Sequence, residues 1–261
     1  MARIEGLLGG RLGSIADRRI YRHVAELGLV ALAFLLYFIV RTNVIDRPEV
    51  ALDNARQLVD AEQALGIYAE AAWQDAIIGA ELIVRFFNFV YFWLDFPLIV
   101  VLGLWLYFRR RPQYRFTRDA VLFSGALALV AYYLFPVAPP RLLPEAGLLD
   151  TLQIYNSASY QAQSTDFFVN PFAAMPSLHV GWAVLVALGA VRALPGNRFV
   201  LLLAVAHVAA QSTSTVFTGN HYFLDWVGGL VASGGGLAFA VFMQRRGYDL
   251  IRRQFGLKDA F

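Results

Sequence analysis

Runs of apolar residues long enough to cross a bilayer decide what this chain can fold into. A helix needs about 20 such residues to span the hydrocarbon core. The sequence offers runs of that order at 24–40, 76–108, 119–135, 176–194, 199–217 and 221–243. A chain that is 58% hydrophobic, with a mean hydropathy of +0.53, has the composition to match. The expected fold is therefore an all-α integral membrane protein, a six-transmembrane-helix bundle with an additional interfacial amphipathic helix. It reads as a single membrane domain over 1–261: a cytoplasmic leader at 1–23, a six-helix core at 24–243 and a cytoplasmic tail at 244–261.

Charge placement sets the orientation. Of the 22 Lys and Arg residues, 17 lie in the leader, the loop 109–118, the turn 192–198 and the tail, whereas Arg41, Arg47, Arg56 and Arg141 lie on the opposite side. Positive residues mark the cytoplasmic side, so both termini are expected inside. The leader carries five arginines and no cleavage-like site, so the first span reads as retained. The net charge of +3 follows from these loop arginines and gives no reason to expect a nucleic-acid partner. With no cysteine, disulfides and thiolate metal sites are excluded.

Between the spans, 41–74 is polar with periodic Val50, Leu52, Leu58, Val59 and Leu65, and with Asp53, Asp60 and Glu62 interspersed. That pattern predicts an amphipathic helix lying at the interface or packed over the bundle. The run 76–108 is too long for one simple span and contains Pro97, so it reads as one long tilted or kinked helix. Arg85 and Asp95 are the charges inside it, and intramembrane charges are functional candidates by default. The stretch 136–175 is the longest without a span, a length usual for functional or disordered loops.

Two histidine motifs open apolar segments. In Ala-Ala-Met-Pro-Ser-Leu-His (173–179), Pro176 suits the first turn of a helix, leaving Ser177 and His179 near its positive end. In Gly-Asn-His-Tyr-Phe-Leu-Asp (219–225), Asn220 is a candidate cap for a helix with His221 and Asp225 four apart on one face. Six alternating spans bring both motifs, and Pro-Val-Ala-Pro-Pro-Arg at 136–141, to the outer surface. Free amides at helix N-termini are natural anion sites. His207 stands mid-span without a motif and reads as a packing residue, and Gly228, Gly229 and 234–236 read as close helix packing.

At these residues the chain resembles the type 2 phosphatidic acid phosphatase superfamily, whose motifs are Lys-x6-Arg-Pro, Pro-Ser-Gly-His and Ser-Arg-x5-His-x3-Asp. Pro176 to His179 match the second with Leu178 for Gly, His221 and Asp225 match the end of the third, Ser214 falls at its serine, and Arg141 resembles the arginine of the first. Thr215 stands where the third motif has arginine, and the one lysine is Lys258, in the tail. The forms around Arg141, His179 and His221 look more like the branch containing inositol phosphorylceramide synthase.

The resemblance implies a metal-independent, cofactor-free enzyme at the extracytoplasmic face. His221 would be the nucleophile, forming a phosphohistidine, with Asp225 fixing its tautomer and His179 as acid and base. Arg141, Ser177, Leu178 and Ser214 would bind the substrate phosphate. Zinc on His179, His221 and Asp225 is a sharp alternative. The missing cations favour a phosphodiester donor unless Arg85 or Arg56 completes the site. The expected activity is transfer of a phosphate-containing head group, for example inositol phosphate, from a phospholipid in the bilayer to an acceptor alcohol. The alternatives are a lipid phosphate or polyprenyl phosphate phosphatase using water, and a non-catalytic lipid-binding or lipid-moving protein.

Overall fold

The computed structural model describes residues 23–155 and 171–255, apart from 34, 41 and 45, together with residue 20. Among the described residues the regular elements are all helical. They are α1 (His23–Val44), α2 (Pro48–Ala64), α3 (Glu70–Ile78), α4 (Glu81–Trp93), α5 (Phe96–Arg109), α6 (Arg111–Leu134), α7 (Thr151–Tyr155), α8 (Leu178–Ala193), α9 (Arg198–Phe217), α10 (Phe223–Phe242) and α11 (Tyr248–Phe255). Two single turns, Pro140–Leu142 and Pro144–Ala146, punctuate the loop after α6.

Three helical runs are long and apolar enough to cross a membrane: α1, α9 and Phe223–Gln254, in which a π turn at Met243–Gly247 carries α10 into α11. The α4–α5 pair makes a fourth if it counts as one span. The six expected spans therefore reduce to three or four that meet this test. With 16 residues, α8 reaches about 24 Å at 1.5 Å per residue, short of a hydrocarbon core of about 30 Å. In α6 the first turns carry Arg111, Arg115, Arg118 and Asp119, which shortens its apolar part.

The long run 76–108 is not one kinked helix. Its first residues belong to α3, and the remainder divides into α4 and α5, bent by 45° at Leu94 and Asp95. Pro97 is the cause: it has no N–H, and its ring clashes with the carbonyl four residues back, so α4 ends before it and Pro97 enters the first turn of α5. The amphipathic stretch is α2, begun by Pro48, and α3 follows it. The buried stripe of α2, Ala51, Ala55 and Leu58, packs with Val137, Ala138, Leu143 and Tyr222. The helix thus covers the loop that carries Arg141.

At the other end of the bundle, Arg118 joins α1 to α6 and to the last helix. Its guanidinium contacts Glu26 and sits 2.7 Å from Asp119, whose second oxygen accepts from the Tyr248 hydroxyl at 2.5 Å.

The contact that positions the site is between α8 and α10. A Cβ at Gly229 would lie 2.1 Å from the Ser177 carbonyl oxygen, and one at Gly181 would lie 2.7 Å from the Gly229 carbonyl oxygen. Only glycine lets these backbones approach so closely. Gly234 faces open space, so close packing accounts for its neighbours Gly235 and Gly236 but not for Gly234. Gly229→Ala should therefore destabilise by about 1–3 kcal/mol, an overpacking cost. Gly234→Ala, adding a methyl to an open helix position, should be neutral or mildly stabilising. Thermal unfolding of both variants in detergent checks the contrast.

Candidate active site

Backbone hydrogen bonds close three stretches into a triangle. Ser177 N–H donates to the Asp225 carbonyl at 2.9 Å, and Arg141 N–H donates to the Gly219 carbonyl at 2.9 Å. Val137 N–H donates to Phe172 at 3.1 Å, and Ala174 N–H donates to Val137 at 3.2 Å. The Arg141 loop and both histidine motifs are thereby held together, with Tyr132 of α6 donating to the Pro176 carbonyl at 2.8 Å.

Local structure differs from expectation at both motifs. Pro176 lies before the N-cap of α8, not in its first turn; Ser177 is the cap, its oxygen accepting from Val180 at 3.5 Å. Neither does Asn220 cap the next helix. Its side chain bonds Arg141 and the Thr218 hydroxyl, while α10 begins at Phe223. His221 therefore precedes the helix rather than sharing a face of it with Asp225. Asp225 Oδ2 reaches back to the Tyr222 N–H at 2.9 Å and to His221 Nδ1 at 3.2 Å. Gly219, at φ +70°, makes the turn; a Cβ there would meet the Leu149 carbonyl at 2.7 Å.

The hydrogen on His221 can be assigned from its partners. Nδ1 is 2.8 Å from the Ala174 carbonyl oxygen, which can only accept, so Nδ1 carries the hydrogen. In the neutral ring Nε2 is then bare, and it faces Nδ1 of His179 at 3.4 Å. His179 stacks on Tyr91, ring centroids 4.2 Å apart and 18° from parallel, and its Nε2 is 3.5 Å from Asp95 Oδ2. Asp225 is behind His221 and His179 is in front, so the three do not converge on one point. Among the described residues no three His, Cys, Asp or Glu side chains are arranged to hold a metal ion.

The remaining candidates are placed as follows. Arg141 is 3.0 Å from Asp150 and contacts Asn220, the neighbour of His221. Leu178 is the first residue of α8, where N–H groups lack intrahelical partners. Ser214 is buried within α9, its hydroxyl donating to the Gln211 carbonyl at 2.7 Å. Thr215, at the motif's arginine position, accepts from the Trp226 indole at 2.9 Å, and its carbonyl receives the N–H groups of Asn220 and His221. Arg85 pairs with Glu81 at 2.7 Å and Arg56 with Asp53 and Glu145 at 2.7 and 3.2 Å, both half exposed. Neither of these arginines has a described contact with the histidine motifs.

Two buried glutamates were not singled out by the sequence reading as site residues. Glu62 of α2 accepts from Leu224 N–H at 2.6 Å, and Glu70 of α3 accepts from Phe223 N–H at 2.9 Å. These donors are the first turn of α10, whose N–H groups have no intrahelical partner. Together with Asp225 on Tyr222, three carboxyl groups fix the backbone directly after His221.

The model of the PAP2 superfamily matches residues 56–239. The chain belongs to this superfamily. It matches no curated protein and no solved structure. The matched region runs from α2 to α10 and includes Arg141, both histidine motifs and the two glutamates. For a PAP2 superfamily protein the coarse chemistry is that of a phosphatase or phosphotransferase, and the clustered imidazoles supply groups suited to it.

Burial, with Glu70 alongside, pushes the Glu62 carboxyl up to about 9. A raised folded pKa contributes stability that is fully present below the ordinary value of 4.5 and is lost as pH rises through about 9. Glu62→Gln keeps an acceptor for Leu224 and cannot ionise. Its melting temperature in detergent should match the wild type near pH 5 and exceed it near pH 9.5.

Proposed function

We propose that this PAP2 superfamily protein is a membrane-embedded lipid phosphotransferase that acts through a phosphohistidine at His221. The observation that carries the reading is the commitment of His221 Nδ1 to Ala174 and Asp225, which leaves Nε2 bare and turned towards His179. An imidazole held in one tautomer by a carboxylate is prepared for nucleophilic attack.

The steps balance as follows. Nε2 of His221 attacks phosphorus, the bond from phosphorus to the lipid oxygen breaks, and His179 gives its Nδ1 proton to that oxygen. An acceptor alcohol then attacks the phosphohistidine while His179 takes its proton, and the phosphorus–nitrogen bond breaks. Positioned acid–base catalysis of this kind contributes about 10²–10⁴-fold. Arg141, through its fork of donors, and the Leu178 N–H at the start of α8 hold the non-bridging oxygens, with Ser177 and Ser214 shaping that end of the site.

Charge favours a diester donor. A terminal phosphomonoester carries nearly two negative charges and a diester one, and Arg141 is the described cation joined to the histidine segment. Arg85 and Arg56 are engaged with carboxylates elsewhere. The reading is a head-group transferase resembling inositol phosphorylceramide synthase, active without metal because its two imidazoles provide both nucleophile and acid. We place six spans in the bilayer, both termini on the cytoplasmic side and the site on the opposite face, following the arginine distribution.

The test is purified protein in detergent with EDTA, given labelled phosphatidylinositol or labelled phosphatidic acid. The expected result is labelled inositol phosphate, or a new labelled lipid, from the diester, falling by roughly 10³-fold or more in His221→Ala and in His179→Ala. Faster release of free phosphate from phosphatidic acid would make the protein a phosphatase using water. Loss of activity with EDTA would contradict the metal-free reading.

A further inference from the structure

The break between α4 and α5 puts a carboxylate where an apolar span would ordinarily have none. Asp95 is the N-cap of α5, and aspartate in that position usually caps its own helix. Here its side chain makes no cap hydrogen bond. Instead, Oδ2 lies 3.5 Å from His179 Nε2, with the aspartate side chain 12% exposed. A carboxyl group so nearly buried is expensive to keep unless it has a partner or a function.

The hydrogen assignments along the imidazoles give this placement a chemical meaning. His221 Nε2 is bare, so it accepts from His179 Nδ1–H across their 3.4 Å separation. The nitrogen of His179 that faces the nucleophile is therefore Nδ1, and the ring's other nitrogen is turned to Asp95. Stacking on Tyr91 holds the plane of the ring between the two. The result is two carboxylate–imidazole pairs set face to face: Asp225 behind His221, Asp95 behind His179. At 3.5 Å the two groups are at the outer limit of a hydrogen bond, and such contacts in ligand-free sites commonly shorten when substrate binds.

We propose that Asp95 is the positioning carboxylate of His179, orienting Nδ1 towards the leaving oxygen and stabilising the ring while it carries two protons. This inference rests on the phosphohistidine reading above and adds a residue from outside the three motifs. When His179 Nδ1 gives its proton to the leaving oxygen, Asp95 draws in to accept from Nε2–H, and the neutral ring is ready to accept the alcohol's proton. Asp95 touches neither phosphorus nor either reacting oxygen.

The experiment separates this role from a structural one by changing how much acid the leaving group needs. The probes are two long-chain alkyl phosphodiesters in detergent, one with a nitrophenyl and one with an alkyl leaving group. Nitrophenolate leaves without protonation, so forming the phosphohistidine from that ester needs no acid. Asp95→Asn should keep the nitrophenolate burst within about threefold of wild type and release the alkyl group about 10²-fold more slowly, the scale of general acid catalysis. Asp95→Glu, which retains a carboxyl, should recover most of that loss. Equal loss of burst and alkyl release in Asp95→Asn would mean a structural role and overturn the inference, as would no loss on either ester. A wild-type burst that survives His221→Ala would instead overturn the phosphohistidine reading beneath it.

Discussion

Gly229 meets the Ser177 carbonyl so closely that one added methyl would have to displace backbone, and the Ser177 N–H is bonded to the Asp225 carbonyl on the same face of the contact. Everything in the site depends on this approach of α8 to α10. It sets the start of α8, and hence His179, beside the residues leading into α10, and hence His221. Each motif taken alone is a loop followed by an apolar helix. Held at this distance, their imidazoles meet nitrogen to nitrogen. The loop carrying Arg141 is then drawn in by backbone bonds to both partners.

Around that contact the protein uses carboxyl groups to fix backbone rather than to hold ions. Asp225, Glu70 and Glu62 each accept from a consecutive N–H at the entry to α10. The first N–H groups of a helix have no intrahelical acceptor, so two buried glutamates find donors there for their carboxyl oxygens. A helix packed over the bundle, α2, thereby reaches the segment that holds His221. Covering the loop and fixing the nucleophile's backbone are one structural event.

The apolar runs made the helical class legible in sequence, because bilayer thickness converts run length directly into span candidates. Motif spacing was equally informative for His179, His221 and Asp225, which the structure gathers in one cluster. Local geometry was harder to read. Asn220 has the chemistry of a cap, but Arg141 and Thr218 compete for its side chain, so the helix starts later. Pro97 marked an interruption, while the break itself falls at Leu94 and Asp95. Glu62 showed only as one of the acidic residues interspersed in an amphipathic stretch, since the N–H it serves is 162 positions away. Glu70 is 153 positions from its own partner. No local pattern encodes such a pairing. Asp95 gave only the general signal of a charge inside an apolar run, and its relation to His179 needed the bend between α4 and α5.

The central claim is that a phosphoryl group passes through Nε2 of His221. The direct measurement is to mix the purified protein with a phosphodiester lipid labelled at phosphorus and quench within a turnover in alkali, where a phosphorus–nitrogen bond to imidazole survives. Mass spectrometry then locates the label. The account predicts label on His221, undiminished by EDTA and absent from His221→Ala. Label on another residue, or turnover at the wild-type rate with no labelled protein at any quench time, would contradict it.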